Sequence, residues 1–158
     1  MSLDEADTQG TDDAGLARTG RTLAVIGFLP FAVLALWLYG IAPDHPWRQG
    51  TISLLSGYAA VTLSFLGGIR WGIAMLGLTR ERRRDLMPSI VPPLVGWAAL
   101  SIEPPLVFVL LAVAFAAQGA WDSLTLPPGA APDWFRRVRI QLTILVVAAM
   151  VLAFVATS

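Results

Sequence analysis

The chain has 158 residues, of which 56% are hydrophobic and 14% charged. Its mean hydropathy of +0.67 is beyond that of ordinary soluble domains and places it in the membrane class. The formal charge of zero gives no reason to expect nucleic acid, and the absence of Cys excludes disulfides, thiolate chemistry and Cys-based metal sites.

Residues 1–20 hold Asp4, Glu5, Asp7, Asp12 and Asp13 among small polar residues and glycines. So little apolar surface predicts a disordered acidic tail ahead of a transmembrane domain over 21–158. The tail has neither the Arg-rich, acid-poor make-up of a transit peptide nor a cleavable apolar core, so the first apolar stretch is expected to remain as a span. That stretch, 23–42, is long enough at ~1.5 Å per residue to cross a hydrocarbon core of ~30 Å. Pro30 near its middle predicts a kink. The carbonyl freed there needs shelter from a neighbouring helix, because lipid cannot satisfy it. A short polar turn follows, with Asp44, His45, Trp47 and Arg48. One His beside one Asp falls short of a metal-ligand set, and no metal or cofactor is expected.

The second stretch, 51–78, repeats small residues at every fourth position: Ser56, Ala60, Ser64, Gly68 and Gly72. Small side chains at that spacing form a groove for close helix packing, within the chain or across a homodimer. Arg70 lies two residues past Gly68, nearly on the opposite side of the helix at ~100° per residue. If hydrocarbon begins near Thr51, Arg70 and Trp71 fall at the far headgroup boundary, where snorkelling relieves the cost of the charge.

The third stretch, 87–102, is short and carries Pro88, Pro92 and Pro93, so it either crosses or re-enters. Crossing is favoured, because it keeps the arginine clusters on one face. Glu103, Pro104 and Pro105 make a hairpin turn into the fourth span, 105–124, which ends in Gln118, Trp121 and Asp122. Gln118 and Asp122 share a helix face. Asp122 reaches the depth of Arg70, so the two can pair across helices as a candidate interhelical polar site. Pro127, Pro128, Gly129 and Pro132 then precede Trp134, Phe135, Arg136, Arg137 and Arg139. Such an aromatic-basic run reads as an interfacial segment whose arginines contact lipid phosphates, ahead of a fifth span at 140–156.

With five crossings, nine of the eleven Arg share one face. Arg18 and Arg21 precede span one, Arg80, Arg82, Arg83 and Arg84 follow span two, and Arg136, Arg137 and Arg139 precede span five. Only Arg48 lies opposite, and Arg70 is within a span. The fold expected is an all-α polytopic bundle of five transmembrane helices, with the N-terminus on the Arg-rich, cytoplasmic side. Trp71, Trp121 and Trp134 join the loop arginines as expected interfacial, lipid-contacting residues.

Gly27, Pro30 and Phe31, then Tyr58, then Leu63-Ser64-Phe65-Leu66-Gly67-Gly68-Ile69-Arg70-Trp71-Gly72 form one part of a recognisable pattern. Asp122, Pro132, Trp134-Phe135 and Arg139-Ile140-Gln141-Leu142-Thr143 complete it. The pattern resembles the transmembrane protein 69 family of uncharacterised small polytopic membrane proteins, over about residues 21–156. The Gly-Gly-Ile-Arg-Trp-Gly run is its most specific part. The resemblance implies bacterial membranes, and mitochondrial ones in eukaryotes, and brings no catalytic residues. In the family the Arg70 position is often His, which implies a polar, potentially cationic site rather than an obligatory Arg70–Asp122 pair.

An enzyme is not expected: no nucleophile has a base nearby, and there is no His pair, carboxylate cluster or phosphate-binding glycine loop. The expected function is that of a non-catalytic accessory or assembly component of a membrane complex in the bacterial cytoplasmic (inner) membrane. Its expected partners are lipids and another membrane protein or a second copy. The alternative is a transporter or channel for an ion, proton or small solute using Arg70 and Asp122.

Overall fold

A computed structural model describes residues 3–77, 86–125 and 133–158, with side-chain surroundings given from Gly15 onward and not for Asp133. Arg80, Arg82, Arg83 and Arg84, and the prolines at 127, 128 and 132, lie outside the described residues. The helices are α1 (Leu3–Gly40), α2 (Arg48–Met75), α3 (Val91–Ala99, entered through a 3-10 turn at Met87–Ile90), α4 (Leu106–Thr125) and α5 (Asp133–Thr157). Four of them are long and apolar enough to cross a membrane: α2, α4, Gly15–Gly40 of α1 and Trp134–Thr157 of α5.

Three boundaries depart from the sequence reading. Helical backbone in α1 begins at Leu3, within the segment whose composition predicts no order. The third segment is no full-length helix: four residues of 3-10 and nine of α-helix rise about 21 Å, against ~30 Å of hydrocarbon. Its prolines explain the form, since Pro92 and Pro93 have no amide proton to give and sit where a helix start needs none. Third, the run Trp134–Arg139 is the opening of α5 rather than a separate interfacial segment.

Around the bundle, α1 packs on α2 and α5, α4 packs on α5 and α2, and α3 fills the groove between α2 and α4. Phe31, Leu38, Leu55, Leu63, Phe108, Leu111 and Met150 form the interior, each fully buried. Phe31 stacks edge-on against Tyr58 and Phe115, with centroids 4.9 and 5.8 Å apart, and so joins α1, α2 and α4. The outside is equally apolar: Leu23, Val25, Leu29, Val33 and Leu36 of α1 are all at least half exposed. In water this would be an aggregating surface; here it is the face for lipid.

Close approach is achieved where a helix carries Gly. A Cβ on Gly96 of α3 would stand 2.9 Å from the Ala60 carbonyl oxygen, and one on Gly67 of α2 would stand 2.6 Å from that of Ser89. A Cβ on Gly119 of α4 would meet Thr143 of α5, and one on Gly20 of α1 would collide with the Trp134 indole. The small-residue stripe of α2 is therefore used only in part. Ser56 and Ala60 are buried, whereas Gly68 and Gly72 meet nothing among the described residues. The third segment meets α2 at Ala60 through Gly96 and, one residue off the stripe, at Gly67 through Ser89, Pro92 and Pro93.

Pro30 is held inside α1 without breaking it. The Tyr58 hydroxyl donates to the nearby Gly27 carbonyl at 2.7 Å, so α2 shelters a backbone acceptor beside the proline. The two ends of the bundle follow from side-chain contacts. Arg48 at the start of α2 donates to the Ala156 carbonyl at the end of α5 and to that of Ile41 just past α1. At the other end, the last turns of α2 and α4 meet the first turns of α5 and the Gly20 level of α1. Helices α2 and α4 thus run in the same direction, and α3 carries the chain back between them.

Candidate functional site: a buried charge cluster

Five polar side chains from three helices converge at the second of these ends. Asp122 is near the end of α4, one turn after Gln118 and one before Thr125, so all three share a face. Arg139 lies in the second turn of α5 and Arg70 in the penultimate turn of α2. Register brings Arg139 to Asp122. The Gly119–Thr143 contact locks the antiparallel α4–α5 hairpin, and about one turn further along each helix, in opposite directions, stand Asp122 and Arg139.

Arg139 donates to Asp122 Oδ2 from Nε at 2.9 Å and from Nη2 at 2.6 Å. Gln118 Nε2 donates to Oδ1 at 3.1 Å. Arg70 Nε stands 3.5 Å from the same Oδ1, an ion pair looser than the first. Arg70 Nη2 also donates to the Thr125 hydroxyl, which itself donates to the Trp121 carbonyl at 2.7 Å. The guanidinium carbon lies 5.7 Å from the centre of the Trp121 ring, within cation–π range. Arg70, Asp122 and Gln118 are 4, 5 and 8% exposed, so this is a desolvated network whose members depend on one another. Among the described residues Arg70 Nη1 has no partner.

Arg70, Asp122 and Gln118 meet as expected, but the strongest link in the cluster is from Arg139. The sequence reading gives Arg139 to lipid phosphates; the structure turns it inward onto Asp122, with its side chain 13% exposed. Arg136 and Arg137 remain exposed and fit the lipid-facing reading. Trp71 and Trp121 are partly exposed at the same end, 45 and 37%, while Trp134 is half-buried where it packs near Gly20. His45 serves its own turn, its Nδ1 accepting the Trp47 amide at 3.2 Å. Among the described residues no three His, Asp or Glu side chains come together as a metal site. The arrangement clamps three helices; it contains no nucleophile placed against a base.

Long apolar helices with outward-facing aliphatic surfaces and a charge cluster at one end define a small multi-span membrane protein. The chain belongs to the family described as "Protein of unknown function (DUF3429)", whose model matches residues 16–155. It is also similar to Transmembrane protein 69 of Xenopus tropicalis, at 35% identity over 100 residues. That match covers 60% of this chain and 38% of the frog protein, so the chain spans well under half of that relative's length. No solved structure matches it.

Proposed function

We propose that this protein is a non-catalytic accessory or assembly component of a membrane complex, resident in the bacterial cytoplasmic membrane. In this reading the chain crosses the bilayer five times, with its N-terminus on the cytoplasmic side. The parallel course of α2 and α4 supports an odd return by the third segment. Arg18, Arg21, Arg136 and Arg137 gather at one end, through the Gly20–Trp134 contact, which supports cytoplasmic placement of that end.

The observation that carries the functional reading is the separation of polar from apolar interior. Conduction or transport calls for polar groups near mid-depth or on interrupted helices that line a path. Here Phe31, Leu63, Phe108, Leu111, Phe115 and Met150 fill the middle, each no more than 3% exposed. Among the described residues the buried charged groups, Arg70 and Asp122, lie at one end and bind one another. Buried Ser56 is spent on its own helix, donating to the Ile52 carbonyl at 2.9 Å.

Purification of the full chain in mild detergent, with reconstitution of the product into liposomes, tests this. A stoichiometric membrane-protein partner and liposomes tight to ions and small solutes are expected. Solute flux that Asp122→Asn abolishes, in a preparation without a partner, would establish transport instead.

A further inference from the structure

Arg70 has donors on two edges, and only one edge is occupied. Its Nε faces Asp122 and its Nη2 donates to Thr125. These two nitrogens share an edge of the planar guanidinium, so Nη1 points away from both partners. Nη1 is buried and has no acceptor among the described residues. The charges are also unequal. Among the described residues, Arg70 and Arg139 share the one carboxylate of Asp122, so those side chains carry two positive charges to one negative in a desolvated setting.

A groove of about 290 Å³ lies between α2, the third segment and α4, with Arg70 and Trp121 in its wall. Leu63, Pro92, Val95, Leu110 and Ala114 make its lining apolar. At its rim Val91 and Val113 are 51 and 61% exposed, so the groove opens sideways onto the lipid-facing surface. Its size is near the lower end of the ~300–1,000 Å³ usual for ligand pockets. Depth orders its contents. Arg70 stands near the end of α2, and Leu63 and Leu110 lie deeper toward the middle of the bundle. A molecule lying here has its polar group at headgroup level and its hydrocarbon pointing inward.

We propose that this groove binds an anionic phospholipid, one acyl chain lying along Val95, Leu110 and Val113. A phosphate oxygen accepts from Arg70 Nη1 and adds a negative charge to the two positive and one negative of the described side chains. A zwitterionic lipid brings the same oxygen with a compensating cation and leaves the sum positive, so the site discriminates by net headgroup charge. Arg70 is then both a member of the helix clamp and the head-binding group.

Native mass spectrometry of the full chain tests this, after exchange into nanodiscs of phosphatidylglycerol or of phosphatidylcholine and release in detergent. One phosphatidylglycerol retained per chain is expected, with phosphatidylcholine lost. Arg70→Gln should lower retention about tenfold or more, as loss of a charge-assisted hydrogen bond implies, while Arg136→Gln with Arg137→Gln leaves it unchanged. Because Arg70→Gln also loosens the cluster, Ala114→Phe provides the second arm: it plugs the groove with Arg70 intact and should abolish retention without lowering the unfolding midpoint. Failure of the wild type to retain phosphatidylglycerol, equal retention of the two lipids, or retention unaffected by Ala114→Phe overturns the proposal. Loss on removal of Arg136 and Arg137 equal to that on removal of Arg70 overturns it too, as the mark of surface contact only.

Discussion

The two ends of the bundle solve the same problem, an arginine at the edge of the hydrocarbon, in opposite ways. Arg48 lies where α1 and α5 finish, and helix C-termini offer carbonyls that have no partner of their own and carry partial negative charge. It needs no carboxylate. Arg70 and Arg139 lie inside helices, where the carbonyls are already used, and their acceptor must be a side chain. Asp122 and its neighbours Gln118 and Thr125 fill that need. An end built on backbone tolerates change; an end built on one shared carboxylate does not.

That contrast can be broken by substitution, read as thermal or denaturant unfolding in detergent. Asp122→Asn should have the largest effect, a loss of about 3–5 kcal/mol, because it leaves two buried guanidiniums without a counter-charge. Next comes close packing. Gly96→Leu drives a side chain into the Ala60 backbone and should cost about 1–3 kcal/mol. Arg48→Gln, at the tolerant end, should cost about 0.3–1 kcal/mol, the value of a cation at a helix C-terminus. Gly68→Ala should be neutral or stabilise by up to about 1 kcal/mol, since that position meets nothing and Ala is the better helix former. A Gly68 substitution as damaging as that of Gly96 would return the full stripe to a packing role.

Much of the fold is legible in the sequence, because the long apolar stretches coincide with α1, α2, α4 and α5 to within a few residues in most cases. The starts of α1, at Leu3 rather than 23, and of α5 are the exceptions. Trp134, Phe135 and the arginines look interfacial by composition, yet Pro132 and Asp133 just ahead of them are ordinary helix-start residues. The third segment was ambiguous for a physical reason: its prolines permit either a short helix or an irregular loop. In the cluster, the approach of Arg70 and Asp122 follows from equal depth along two helices. The Arg139 link does not, because depth alone cannot say which way a side chain faces. The rotation of α5 is set by Gly119 against Thr143, a signal present in the sequence but not readable until the two helices are known to touch. The stripe on α2 shows the converse. Four-residue spacing of small residues is real, and where the partner segment touches α2, at Ala60 and Gly67, decides how much of it is used.

The central claim is that Asp122 clamps α5 and α2 to α4, with Arg139 as its principal partner. A double-mutant cycle on Asp122→Asn with Arg139→Gln, run beside one on Asp122→Asn with Arg70→Gln, measures it directly. The first cycle should return a coupling energy above about 1.5 kcal/mol, in the range of a charge-assisted hydrogen bond, and the second a smaller one. Additive effects of Asp122→Asn and Arg139→Gln, or a larger coupling to Arg70, would contradict the account.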